Sequence, residues 1–180
     1  MTVVSNFARV ASGFAIAGLV AIWPATGLAG FSFPLIEGSE IDLDDWLGHP
    51  VLVVNTASEC GYTGQYDDLQ QLQDIYGARG LHVLAVPSND FEQELADEKA
   101  VKEFCDVNFD LTIAMTEITC VTGANAHPFY TWVKAETGFE PQWNFNKVLI
   151  GADGRVLGTW GASENPTSKT ITTQIEALLQ

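Results

Sequence analysis

Two short apolar runs constrain the fold of this chain more than any other feature. Residues 51–55 read Val-Leu-Val-Val-Asn, and residues 81–86 read Leu-His-Val-Leu-Ala-Val before Pro87. Continuous β-branched runs of this length are the pattern of strands buried on both faces, as in parallel sheets covered by helices. Between them Tyr66, Leu69, Leu72, Ile75 and Tyr76 recur at helical spacing and stop before Gly77. A strand, a crossover helix and a second strand place the two strands parallel in one sheet.

The rest of the chain supplies the remaining layers. Residues 31–43 hold a turn at Glu37-Gly38-Ser39 and read as a short hairpin. Residues 145–150 and 155–160 flank Gly151-Ala152-Asp153-Gly154, a hairpin turn signal. Helices are predicted over 97–105 and 127–136. A last helix is predicted to open at Pro166, with Ile171, Ile175, Leu178 and Leu179 as its apolar stripe. The order is strand, helix, strand, helix, helix, strand, strand, helix. That is an α/β chain with a central mixed β-sheet and helices on both faces, the thioredoxin-like arrangement.

Residues 1–29 do not belong to this pattern. They carry one charge, Arg9, then an uncharged stretch from 10 to 23, then Pro24 and Gly27-Leu28-Ala29. This tripartite layout reads as a secretory signal peptide cleaved after Ala29, leaving 30–180 as the mature domain. The expected destination is the periplasm or the exterior. An uncleaved membrane anchor is the alternative, although the apolar stretch falls short of the ~20 residues a spanning helix needs. The net charge is −15, and losing Arg9 with the leader makes it −16. Nucleic acid and anionic lipid surfaces would both be repelled, so neither is expected as a partner.

The chain has three cysteines, Cys60, Cys105 and Cys120, with no C-x-x-C pair, which disfavours structural zinc and a thioredoxin-type dithiol. His49, His82 and His127 have no ligand spacing, so no metal and no prosthetic cofactor are expected. An odd cysteine count leaves at least one thiol outside any intramolecular disulfide, a liability in an oxidising compartment. Cys60 falls just beyond the end of the first central strand and before a helix, where open α/β sheets gather reactive groups. The helix N-terminus favours a thiolate there, and Glu59 opposes it. By position alone, a nucleophile and a buried inert cysteine are both open readings.

The surroundings of Cys60 carry more information. Asn55-Thr56-Ala57-Ser58-Glu59-Cys60-Gly61-Tyr62-Thr63 resembles the peroxide-reducing motif of the glutathione peroxidase family. The resemblance continues through Gln65-Tyr66-x-x-Leu69, Asn89-x-Phe91 with Gln93-Glu94, Asn125-Ala126-His127-Pro128 and Trp143-Asn144-Phe145-x-Lys147, over roughly residues 31–180. One departure is clear: the family usually reads Asn-Gln-Phe-Gly-x-Gln-Glu, whereas here Asn89-Asp90-Phe91-Glu92-Gln93-Glu94 is one residue shorter and lacks the glycine.

The resemblance implies a thiol-dependent peroxidase in which Cys60, Gln93, Trp143 and Asn144 form the catalytic set. Cys60 would be the nucleophile, with two side-chain amides and an indole N–H as hydrogen-bond donors. The sulfenic acid formed at Cys60 must then be reduced. Cys105 lies where many thioredoxin-dependent members carry a resolving cysteine, and a plain buried helix cysteine is the alternative. Hydroperoxides are the implied substrates, and a thioredoxin-like protein or glutathione the implied thiol co-substrate. Cys120 gains no catalytic role and reads as a small buried or turn residue. Ser88 stands where some relatives have a further cysteine. Lys147 is either a nearby cation facing Glu59 or an anionic substrate, or a surface lysine. Two other functions fit the same residues: a thiol–disulfide exchanger or redox sensor using Cys60 and Cys105, and a binding domain keeping only the scaffold.

Overall fold

The computed structural model describes Met1 and residues 30–180. The predicted leader therefore lies outside the described residues. A two-stranded antiparallel hairpin opens the domain, β1 (Ser32–Pro34) with β2 (Glu40–Asp42), and a 3-10 turn follows at Leu43–Trp46. The central sheet has the order β5-β4-β3-β6-β7, from β3 (Val51–Thr56), β4 (His82–Pro87), β5 (Ala114–Met115), β6 (Lys147–Ile150) and β7 (Val156–Trp160). Strands β3, β4 and β5 run parallel, while β6 and β7 are antiparallel additions on the other side. The sheet is mixed, as expected.

Alternation along the buried strands divides the core into two layers. Leu52 and Val54 of β3, Val83 and Ala85 of β4, and Leu149 of β6 face one side. They pack there against α1 (Gln65–Tyr76), α2 (Glu98–Phe109) and α4 (Lys169–Leu178) through Leu69, Leu72, Val101, Ile171 and Ile175. Val51, Val53, Leu84, Val86, Val148 and Ile150 face the other side, against the hairpin and α3 (Pro128–Thr137). Helices therefore cover both faces, which is the thioredoxin-like arrangement. Among the described residues no helix is long and apolar enough to cross a membrane.

Several boundaries differ from the sequence expectation. Helix α2 runs one turn past Cys105, from an Asp97 cap that accepts the Ala100 N–H at 2.9 Å to a left-handed Asp110 at φ 48°. Helix α4 starts at Lys169 rather than Pro166, because Asn165 and Thr167 close a side-chain turn first, with Thr167 N–H donating to Asn165 Oδ1 at 2.8 Å. Strand β6 starts at Lys147 because Phe145 takes a left-handed φ of 58° and breaks the extended run. Ile75 is exposed, so the buried stripe of α1 is Tyr66, Leu69, Leu72 and Tyr76. Strand β5 was not expected at all.

Candidate active site

The end of β3 builds the site. Beyond Thr56 the chain passes through turns that lead into α1: Thr63 N–H donates to the Cys60 carbonyl at 3.1 Å and Gln65 N–H to the Tyr62 carbonyl at 2.9 Å. The Tyr62 N–H points at the Cys60 sulfur, 3.5 Å from Sγ. This is a backbone donor directed at the sulfur near the foot of α1, whose first turn also carries the carboxylates Asp67 and Asp68. Cys60 is 4% exposed, at the edge of the core and next to an exposed Tyr62.

Two other loops close on this one. Gln93 accepts the Glu59 N–H through its carbonyl at 2.9 Å, which ties the residue before the cysteine to the loop after β4. The Asn144 side-chain amide donates to Gln93 Oε1 at 3.1 Å. With Oε1 engaged, the NH₂ end of Gln93 is the end left to act as a donor. Asn144 is fully buried, and its Oδ1 has no partner. The loop carrying Cys60, through Glu59, is thus tied to Gln93, and Gln93 to Asn144.

Trp143 lies beside Asn144 but is 41% exposed, with its ring tilted on Phe91 at 5.6 Å between centroids. Its position is fixed through its carbonyl, which accepts from Asn55 Nδ2 at 3.0 Å and Asn146 Nδ2 at 2.5 Å. Asn55 also accepts the Asn146 N–H through Oδ1 at 3.0 Å. These two buried asparagines hold segment 143–146 over the end of β3. Sequence reasoning gave them no role, although an Asn closing an apolar run signals a polar group needing a specific partner.

In the shortened Gln93 loop, which lacks glycine, Glu92 adopts φ 56°, the left-handed region in which glycine is favoured. Asp90 anchors the loop by accepting the Val121 and Thr122 N–H groups at 2.6 and 2.9 Å.

Cys105 sits in α2 at 1% exposure, in the same core layer as Cys60. Burial pushes its thiol up to about 11, partly offset by the Tyr66 hydroxyl. A narrow opening of about 10 Å³ beside it is lined by Ile36, Lys102 and Met115, among others. A larger cavity of about 650 Å³ runs along α2 past Asp97, Lys99 and Val107, away from Cys60. Cys120 is exposed rather than buried, and desolvation together with neighbouring Asp90 raises its pKa. His127 caps α3, its Nδ1 accepting the Phe129 N–H at 3.2 Å.

Lys147 corrects both sequence readings. It neither faces Glu59 nor lies on the surface, but is fully buried. Its ammonium donates to Gln65 Oε1 at 2.5 Å and to the carbonyls of Glu164 and Ala162 at 2.6 and 3.3 Å. It therefore pins β6 to the start of α1.

The glutathione peroxidase family model matches residues 29–134. A hydroperoxy fatty acid reductase of Synechocystis sp. is 37% identical over 161 residues, which are 83% of this chain and 94% of that protein. A glutathione peroxidase of Lactococcus lactis is 36% identical, covering 76% of this chain and 90% of its own. The crystal structure of Trgpx in apo form superposes with a TM-score of 0.68 at 33% identity, covering 86% of this chain and 97% of that one.

Proposed function

Because this chain belongs to the glutathione peroxidase family, it is a thiol-dependent peroxidase, and we propose that Cys60 is the sulfur that reduces the peroxide. The Cys60 thiolate attacks one oxygen of ROOH and the O–O bond breaks. The electron pair leaves with RO⁻, which takes up a proton to become ROH, and Cys60 is left as a sulfenic acid. Gln93, Asn144 and the Trp143 indole are the donors assigned to the departing oxygen, where charge develops. The supporting observation is the linkage of the Cys60 loop to Gln93 at 2.9 Å and of Gln93 to Asn144 at 3.1 Å.

Regeneration is assigned to Cys105. Its thiol attacks the Cys60 sulfenic acid, a disulfide forms and water leaves; two electrons from an external thiol then restore both cysteines. A disulfide needs Cα atoms within ~7 Å, and Cys105 is buried inside α2, so the proposed step includes a local opening of α2 around it. A thioredoxin-like protein is the favoured reductant, because it exchanges with a protein disulfide, with glutathione as the second choice. A relative that reduces hydroperoxy fatty acids supports organic hydroperoxides alongside hydrogen peroxide as substrates.

A steady-state assay with hydrogen peroxide and an organic hydroperoxide, each with thioredoxin and with glutathione, tests this reading. Both peroxides should turn over, faster with thioredoxin, and one equivalent of peroxide should yield a Cys60–Cys105 disulfide by mass spectrometry. A persistent Cys60 sulfenic acid with Cys105 free would remove the resolving role. Absence of turnover with either thiol would remove the proposed reductants.

Export to the periplasm or exterior is part of the same proposal, supported by the composition of residues 1–29. The protein recovered outside the cytoplasm should begin at Gly30 by N-terminal sequencing, and an intact Met1 would contradict cleavage.

A further inference from the structure

Behind Cys60 lies a set of polar atoms that the reaction above does not use. Thr56 Oγ1, Ser58 Oγ, Tyr66 Oη and Glu94 Oε2 are all sealed from solvent, and they face one another, Thr56 with Tyr66 and Ser58 with Glu94, without closing well-aligned hydrogen bonds. A polar group left fully unpaired in a core costs about 1–3 kcal/mol, so the alignment of these groups matters. They come from the end of β3, the Cys60 loop, the first turn of α1 and the loop after β4.

Glu94 joins these segments. Its Oε1 accepts the Ser58 N–H at 3.0 Å and the Leu95 N–H at 2.8 Å. Directly alongside, Glu59 N–H donates to the Gln93 carbonyl at 2.9 Å. Two parallel bonds therefore connect residues 58–59 with residues 93–94. One side ends in the nucleophile, two residues beyond Ser58, and the other in Gln93, one residue before Glu94.

Among the described residues no cation is paired with the carboxyl. The titratable groups around it are Tyr66 from α1, Cys105 from α2 and Glu59 from its own bonded loop. The buried Lys147 is occupied by Gln65 and two carbonyls. Burial raises the Glu94 pKa, with Ser58 and the Leu95 N–H acting against it. A carboxyl in such surroundings is useful for its shape and its acceptor oxygen, since a buried charge without a partner is costly.

We propose that Glu94 is the positioning residue of the site: its carboxyl, held at the Ser58 and Leu95 N–H groups, sets the separation between the Cys60 sulfur and the Gln93 donor. This rests on the roles proposed above for Cys60 and Gln93. Glu94 touches neither peroxide nor sulfur; it acts through the two loops it joins.

The test compares two reactions of reduced full-length protein: oxidation by hydrogen peroxide in a single turnover, which needs the aligned donor, and alkylation of Cys60 by iodoacetamide, which needs only the sulfur. Glu94→Ala should slow peroxide oxidation by about tenfold or more while leaving alkylation within about twofold, because misalignment is felt only where geometry matters. Glu94→Gln should stay within about threefold in both, since its amide oxygen still accepts both N–H groups. A Glu94→Ala rate within about twofold of wild type would overturn the proposal. So would equal losses in both reactions, or a Glu94→Gln loss matching that of alanine. If the alanine variant does not fold, Glu94→Asp, one methylene shorter, should show the same selective loss, and a wild-type rate there would equally overturn it. Cys60→Ser serves as the control: a peroxide reaction surviving in it would retire the Cys60 assignment itself, separately from Glu94.

Discussion

Replacing Cys60 with serine is expected to lower kcat/KM for hydrogen peroxide by roughly 10³-fold or more, the scale seen when an enzyme loses its nucleophile. A serine hydroxyl is not ionised near neutral pH, and oxygen has none of the polarisability that lets sulfur accept an oxygen atom from peroxide. The substitution is close to isosteric, and the residue sits at 4% exposure with one contact from the Tyr62 N–H. The fold should therefore survive, and the thermal midpoint should move by only about 2–3 °C, corresponding to no more than ~1 kcal/mol. Cys120→Ser, at an exposed position beside Asp90, should leave turnover unchanged. Retention of wild-type turnover by Cys60→Ser would contradict the mechanism outright.

The second large effect concerns stability. Lys147→Met keeps the volume of the side chain but deprives Gln65 Oε1 and the Glu164 carbonyl of their donor; the Ala162 carbonyl still receives the Gln65 amide at 2.8 Å. Two stranded acceptors at about 1–3 kcal/mol each predict a loss of roughly 2–6 kcal/mol, read as a fall of roughly 4–18 °C in midpoint. The pH dependence identifies the cause. Burial pushes the Lys147 pKa down to about 8, against Glu164 and Asp68, whereas the unfolded chain titrates near the ordinary value of about 10.4.

Between those values the unfolded state binds the extra proton, so the lysine's contribution to stability rises with pH. The advantage of wild type over Lys147→Met should therefore be smallest below pH 8 and widen toward pH 10, by at most about 3 kcal/mol. Cys105, pushed up to about 11, and the raised Tyr66 and Tyr130 have the opposite trend, but they are common to both proteins and cancel in the difference. Urea unfolding at several pH values measures this, and a difference independent of pH would mean that Lys147 is not a buried titrating charge.

Lys147 also marks where sequence reading reached its limit. A lysine in a strand reads as a surface residue because its acceptors, at 65, 162 and 164, belong to segments that only the fold brings together. The same holds for Glu94, which appears in sequence as one letter of a motif and in structure as the joint between two loops. The continuous runs of β3 and β4 and the stripe of α1 were legible because burial on both faces and a 3.6-residue period are local properties. The two residues of β5 were not, since Ala114 and Met115 are defined by pairing with Leu84 and Ala85 rather than by a pattern of their own. Helix α2 outran its expected end because Val107 faces solvent and interrupts the apolar stripe without interrupting the helix. At the candidate site, Cys60, Gln93 and Asn144 are each proposed from the family motifs, and the structure links their segments. Trp143 was legible too, but its exposure and its contact with Phe91 depend on the Asn55–Asn146 brace.

Mapping oxidation after less than one equivalent of hydrogen peroxide, with a sulfenic-acid trap and mass spectrometry, puts the chemistry to its most direct test. Exposure alone would direct peroxide to Cys120; a sulfur activated at the end of β3 should instead take it at Cys60, either as the trapped sulfenic acid or already joined to Cys105. Oxidation appearing first at Cys120 while Cys60 remains a free thiol would contradict that assignment.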